Sequence, residues 1–385
     1  MALYKDVATI LNTLNAQARG VDAIENVDLT GVIAEIKTNI DSADYKDAFM
    51  NSLATVISAY SNRYLSTRLK YPAINVNEDV YGGMLVKNDI APFVAKENTS
   101  TGTGSALYAG PDWTEYSAPS VVQRFFVGFD KWSEKMKLPD DLLDTAFHSE
   151  AEAAAFIDAV MAAFFDAQTQ HQNKAQDMAL ENYIAECLYD GTNVINLRTL
   201  YNEDYNTSKT MDEFLLDQSC HQYACMMIDK IKTYLTAPDG TALFNADHKI
   251  RRSDADDVVA FFLTDFVSAY KTYLLNGVSI LNNDLLQLGA FYEVQYWQGT
   301  SLTDLGKHNL GATSRIDIKT SAGNTVQETG VIGAIIDKRG LATAQLNYKS
   351  AVDRFNGDGV TYYTQRAKAS YINDFSENAV IFTIA

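Results

Sequence analysis

Apolar residues recur at three- and four-residue spacing through the first seventy positions of the chain. Val7, Ile10, Leu11 and Leu14 form one set. Leu29, Val32, Ile33, Ile36 and Ile40 form a second after a break around Gly20, and Phe49, Leu53, Val56, Ile57, Tyr60 and Tyr64 a third. This period predicts amphipathic helices. Each stripe needs an apolar partner surface, in this chain or in another. Residues 71–137 change character. Pro72, Pro92, Pro111 and Pro119 fall here and argue against helix. Residues 80–86 and 121–127 read as two strands. Between them runs a long excursion whose tip, residues 97–105, is small and polar. Loops longer than about 15 residues are uncommon in compact domains and usually functional.

The clearest predicted element is a helix over 149–190. Ser149 and Glu152 have the spacing of a capping box. Neither Pro nor Gly occurs from 150 to 190, and Gly191 suits a left-handed cap. A continuous helix of this extent would be roughly 60 Å long, about twice the diameter of a small domain, so it reads as a strut. Its stripe (Phe156, Val160, Ala163, Phe164, Ala167, Ala175, Met178) is interrupted by His171 and Lys174. Further on, Leu215, Met226, Met227, Ile231 and Leu235 predict one helix over 211–235. Residues 258–263 read as a strand with a helical continuation. Residues 291–297 alternate like a strand, and 330–337 and 378–385 read as buried strands.

The composition is that of a globular protein: 385 residues, 47% hydrophobic and 21% charged. That length accommodates two or three packed units or one large irregular one. The net charge of −18 excludes nucleic-acid binding through the bulk field. The charge is uneven. Residues 139–190 hold eleven acids and one base (Lys174), a net of −10. A solvated helix face and a functional acidic surface both fit that count. Cys187, Cys220 and Cys225 are too few for a disulfide framework, which points to a reducing compartment. No signal peptide is expected at the N-terminus, and no apolar run approaches the ~20 residues of a membrane span.

Candidate chemistry is sparse. The histidines (His148, His171, His221, His248, His308) show no metal-pair spacing, and Cys220-His221 with Cys225 lacks a fourth ligand. Gly102-Thr103-Gly104 lacks the rest of a phosphate-binding loop. The pairs Asp140/Asp141 and Asp256/Asp257 are expected by chance among 49 acids. Lys249, Arg251 and Arg252 read as a loop that makes ion pairs with acidic neighbours. The sequons at Asn98 and Asn206 carry no weight without a secretory signal. We therefore expect no catalytic, cofactor-binding or metal site. The helical stripes, the excursion and the strut instead leave surface for other copies of the chain to cover.

The order of these elements resembles the major capsid protein of tailed bacteriophages, with its HK97-type fold. Residues 129–144, from Phe129 through Pro139 to Asp144, resemble the family's strand just before its spine helix. Residues 251–262 look like its loop into a central strand. The end, from Tyr362 through Asp374 and Glu377 to Phe382, is similar to capsid proteins of small short-tailed phages of Gram-positive hosts. The resemblance implies an α+β fold in five segments: an N-terminal helical arm over 1–70, an E-loop hairpin region over 71–137, the spine helix and part of the peripheral domain over 138–200, an axial domain over 201–330, and a return to the peripheral domain over 331–385. It implies a structural protein and no enzyme. Copies would form the hexamers and pentamers of an icosahedral capsid, the E-loop and arm lying on neighbours. Scaffolding, portal or decoration proteins are the further partners it implies. Double-stranded DNA would be enclosed without specific binding, away from any membrane, in a virion assembled in the host cytoplasm. An encapsulin-like compartment shares the fold, and a carboxylate-dependent hydrolase is the alternative from another class. No lysine–asparagine crosslinking pair can be assigned.

Overall fold

A computed structural model describes residues 12, 14–16, 19, 36, 38–39, 44–45, 48–49, 69–76, 85–90, 121–126, 129–139, 150–238, 240–274, 290–298, 313–320, 322–355 and 360–385. The excursion tip at 97–105, Asp140/Asp141, His148, the Ser149 cap and His308 lie outside these residues, as does the side chain of Phe164. The elements are, in chain order, β1 (Leu85–Ile90), β2 (Val121–Phe126), β3 (Phe129–Pro139), α1 (Glu150–Asp190), β4 (Val194–Asn196), α2 (Leu197–Tyr205), α3 (Met211–Leu216), α4 (Gln218–Leu235), β5 (Val258–Leu263), α5 (Thr264–Leu274), β6 (Ala290–Val294), β7 (Ile316–Lys319), β8 (Thr325–Glu328), β9 (Val331–Asp337), β10 (Leu341–Phe355), β11 (Val360–Asn373) and β12 (Ala379–Thr383). They fall into two compact units.

The first unit comprises Met1–Asp79, Phe129–Ala179 and Thr343–Ser370. Leu14, Ile36 and Phe49, one from each N-terminal stripe, are at most 2% exposed. Tyr45 stacks on Phe49 and donates to Asn15 Oδ1 at 2.6 Å, joining the first stripe to the third. The sequence left open what covers these stripes; at these positions the chain itself does. The sheet order is β10-β11-β3, with β3 antiparallel to β11. Lys131, Ser133, Lys135 and Lys137 of β3 are exposed, while Trp132, Glu134 and Met136 between them are half-buried. Trp132 stacks on His171 of α1, ring centroids 4.6 Å apart, and Glu134 pairs with its Nε2.

The helix over 150–190 forms as expected, but its buried face follows the predicted stripe only in part, at Val160. Ala163 and Met178 are exposed. The covered positions are Val160, Gln168, Gln172, Gln176 and Ala179, at the same helical spacing. Of these glutamines, Gln176 is held on the buried face by pairing with backbone. Gln176 Oε1 accepts from Tyr71 N at 3.0 Å, and its Nε2 donates to Tyr71 O at 3.0 Å. Gln172 Nε2 donates to Asn75 Oδ1 at 3.2 Å, Lys70 pairs with Asp177 at 2.8 Å, and Val76 N donates to Thr343 O at 2.8 Å. Residues 70–76 are thus strapped to α1 on one side and β10 on the other.

The second unit comprises Val80–Gly128, Leu180–Ala342 and Tyr371–Ala385. Its five-stranded sheet has the order β4-β12-β9-β5-β6. β5, β9 and β12 are buried at every position. Burial on both faces is why they read as unbroken apolar runs and do not alternate. Trp297 is fully buried and donates from Nε1 to Val331 O at 2.8 Å.

The single helix predicted over 211–235 is two helices. Asp217 interrupts them with extended backbone (φ −108°, ψ 122°), and its side chain accepts from Ser219 N at 2.8 Å as the N-cap of α4. An apolar period continues through such a break because each helix faces the same core. Met226 falls on the outer side and is exposed. Lys209 Nζ lies 2.5 Å from Asp217 Oδ2. The Lys209 and Ser219 hydrogen bonds hold the Asp217 carboxyl down to about 2. Replacing Asp217 by Ala should therefore cost about 1 kcal/mol near neutral pH, the usual worth of an N-cap. A group with a depressed folded-state pKa stabilises above its ordinary value, here 3.8, and loses that contribution as pH falls through about 2. Urea midpoints of the two proteins should differ fully at pH 6 and converge in acid. A pH-independent gap would contradict this account.

A candidate functional site at the base of the β1–β2 hairpin

β1 and β2 pair antiparallel from Leu85↔Phe126 to Ile90↔Val121, with residues 91–120 between them in the chain. The predicted pair of strands is present, the first described over Leu85–Ile90. They form a two-stranded sheet bonded to no other strand among the described residues. Alternation then separates two faces. Val86, Val121 and Phe125 share one face and are 44%, 61% and 54% exposed. Val86 and Phe125 are direct cross-strand partners there, and the exposed Asn88–Gln123 pair separates them from Val121.

The other face carries Lys87 and Arg124, direct cross-strand partners. Like charges so placed repel. Here they are neutralised by the turn that leads into β12. Lys87 Nζ lies 2.7 Å from Asp374 Oδ2, 2.7 Å from Glu377 Oε1 and 3.1 Å from Arg339 O. Arg124 donates from one terminal nitrogen to Asp374 Oδ1 and from the other to Asp247 Oδ2, the latter at 3.0 Å. The side chains of Asp374 and Glu377 are at most 2% exposed. Burial alone would raise the Asp374 carboxyl; the Lys87 and Ser376 hydrogen bonds outweigh it, so its pKa is lowered.

The turn itself is firmly held. Glu377 Oε1 also accepts from Arg251 at 3.1 Å. Asn378 Nδ2 donates to Arg251 O and Ser253 Oγ, and Asn245 Nδ2 to Asn378 Oδ1 at 3.1 Å. Phe375 stacks on Tyr183, centroids 4.8 Å apart. Asp337 binds Arg339 through both carboxylate oxygens at 3.0 and 2.7 Å. The basic cluster read as a loop of ion pairs behaves so: Lys249 meets Asp247, Arg251 meets Glu377 and Arg252 meets Asp254. Arg251 is nevertheless buried, which its place in the sequence does not reveal.

Other candidates are dispersed. Asp257 pairs with Lys338, and Asp256 is exposed. Cys220 and His221 are buried in α4, where His221 Nε2 lies 2.6 Å from Leu215 O. Among the described residues no group of three His, Cys, Asp or Glu side chains could hold a metal ion. No helix among them is long and apolar enough to cross a membrane. The acids of α1 divide: Glu181 accepts from Gln298 N at 2.7 Å and Glu186 from Asn324 Nδ2 at 3.3 Å, whereas Asp158, Asp166 and Asp190 are exposed. Lys87, Arg124, Asp374 and Glu377 were not singled out by their chemistry beforehand. Their one signal is a lone cation within each strand.

No curated protein matches the chain. Among solved structures it is similar to the capsid of Staphylococcus phage Andhra, with a TM-score of 0.50, 10% identity, and coverage of 81% of this chain and 83% of that one. It is also similar to a chain in the structure of the head fiber and inner core protein gp22 of bacteriophage P68, with a TM-score of 0.47, 10% identity and coverage of 82% and 85%. A third is the capsid of cyanophage Pam1, with a TM-score of 0.44, 9% identity and coverage of 82% and 92%. We rest the fold assignment, a mixed helix-and-sheet capsid fold of the HK97 type, on the first. A family model described as Phi29-like phage major capsid protein matches residues 119–383, which is most of the chain. The chain therefore belongs to the Phi29-like phage major capsid protein family, and it is a structural subunit of a phage virion.

Proposed function

We propose that copies of this chain form the hexamers and pentamers of an icosahedral shell around double-stranded DNA, and that the β1–β2 hairpin lies over a neighbouring subunit. The observation that carries this reading is the outer hairpin face, where Val86, Val121 and Phe125 stand in solvent on a two-stranded sheet. An isolated two-stranded hairpin is marginal in water, and a neighbour that covers this face would complete it. In this reading 71–137 is the E-loop region, 1–70 the arm, 138–200 the spine segment, 201–330 the axial domain and 331–385 the return to the peripheral domain. The DNA is enclosed without specific binding. The exposed Asp158 and Asp190 of α1 repel phosphates, while Asp177, Glu181 and Glu186 are engaged within the subunit. Scaffolding, portal and decoration proteins are the partners that a shell of this kind would take.

The test is expression of the chain, alone and with a scaffold, followed by size exclusion and electron microscopy. A stable monomer that never forms capsomers or shells would refute the reading. Deletion of residues 97–105 should leave the monomer's circular dichroism and thermal midpoint unchanged and reduce shell yield by about tenfold or more, a modest loss of contact free energy per subunit. A deletion variant that does not fold would make this segment part of the core.

A further inference from the structure

We propose that Lys87 and Arg124 are positioning residues for assembly: a charge latch that fixes the angle at which the β1–β2 hairpin leaves its unit, with Asp374 as the anchor. The proposal rests on the capsid reading above. Three observations carry it. First, no ladder of backbone hydrogen bonds joins the hairpin to another strand among the described residues, so something else must orient it. Second, apolar packing does little of this. Val86, Val121 and Phe125 face away, Val122, on the latch face beside Arg124, is itself 39% exposed, and Phe126 on that face is only half-buried. Third, the two cations converge on one carboxylate. Asp374 receives Lys87 on Oδ2 and Arg124 on Oδ1, so each oxygen is bound by a different strand of the hairpin.

The geometry makes this a two-point grip. A single ion pair lets a hairpin pivot about one contact. Two pairs from opposite strands to the two oxygens of one buried carboxylate resist both rotation and tilt. The anchor cannot move to follow, because Asp374 Oδ1 also accepts from Ser376 N at 3.1 Å and Asp374 N donates to Gly340 O at 2.7 Å. Lys87 also pairs with Glu377 of the same turn, and Arg124 with Asp247. Leaving the latch strands a carboxylate whose side chain is 1% exposed, and an unpaired buried charge is strongly unfavourable. The hairpin therefore has one docked angle and a steep cost for departing from it. In a shell, where each hairpin must meet a neighbour at a set geometry, that angle is pre-set within the free subunit.

The experiment uses the full chain in three forms: wild type, Lys87→Met/Arg124→Met and the charge-conserving Lys87→Arg/Arg124→Lys. A fourth, Lys87→Met/Arg124→Met/Asp374→Asn, removes the stranded carboxylate. On unassembled subunits, limited proteolysis with mass spectrometry reads cleavage within residues 85–126. Shell yield is then read by electron microscopy. We expect the Met/Met pair to retain the wild-type circular dichroism, to be cleaved about tenfold faster or more, and to yield few shells, while the charge-conserving pair matches wild type in both. Cleavage at the wild-type rate overturns the proposal, as does faster cleavage with undiminished shell yield. Failure of the fourth variant to fold also overturns it, since the pairs would then be a condition of the fold. If wild type itself forms no shells, the capsid reading fails, and the cleavage comparison still judges the latch.

Discussion

A Gly333→Val subunit is expected to yield no folded second unit. Gly333 lies in β9 between its neighbours, opposite Phe262 of β5 and Phe382 of β12. A Cβ there would stand 2.4 Å from Phe262 Cδ1 and 2.5 Å from Phe261 O. Neither can retreat. The carbonyl is backbone of a buried strand. The Phe262 ring is held by Phe382, Phe266 and Phe291, with centroids 5.9, 6.0 and 5.8 Å away. Overpacking a core by a methylene or so typically costs about 1–3 kcal/mol. Three added carbons against backbone exceed that range and approach the ~5–15 kcal/mol that holds a whole domain together. Gly333→Ala should already lower the thermal midpoint, and Gly333→Val should express as insoluble protein. A soluble Gly333→Val subunit with a wild-type melting curve would show that the sheet is not packed as described.

Replacing Gln176 by Leu is expected to cost about 1–3 kcal/mol. The side chain keeps its volume, so no cavity forms; what disappears are the two hydrogen bonds to Tyr71 and one to Thr343 Oγ1 at 3.4 Å. Tyr71 is fully buried, so its N–H loses the acceptor Gln176 Oε1 away from water, while its C=O keeps Ile74 N at 3.3 Å. Each stranded backbone group costs about 1–3 kcal/mol. Denaturant midpoints should fall accordingly, and hydrogen exchange at residues 69–76 should accelerate more than exchange in β5 or β9. Uniform acceleration, or none, would mean that this strap does not depend on Gln176.

These two positions also show how far the sequence could be read. β5, β9 and β12 were legible because burial on both faces writes an apolar run that needs no knowledge of the neighbours. Gly333 within such a run says nothing until the opposing Phe262 is in place. The helix over 150–190 was legible from its period, its lack of Pro and Gly, and Gly191 at its end, which takes a positive φ of 65°. Its buried face was misread, since Gln168, Gln172 and Gln176 look like solvent residues. The strands β10 and β11 went unread because their apolar positions are largely Ala, Thr and Tyr among Lys, Arg and Gln. The break at Asp217 was missed because apolar period ignores a cap.

The candidate site was less legible than the fold. Lys87 and Arg124 stand 287 and 250 residues from Asp374. No local pattern records such a pairing, because an ion pair requires only that two charges arrive within a few ångströms, whatever their separation along the chain.

The chain's local chemistry thus determined the element order, the long helix, the buried strands and the concentration of acid in 139–190, since periodicity, caps and burial act over a few residues. Packing in space assigned what those elements meet. It strapped residues 70–76 to Gln172 and Gln176, turned Glu181 and Glu186 inward, buried Leu14, Ile36 and Phe49, and set two lone cations on one buried carboxylate. Hydrogen bonds and ion pairs choose partners by distance and desolvation, and both exist only once remote segments have been brought together.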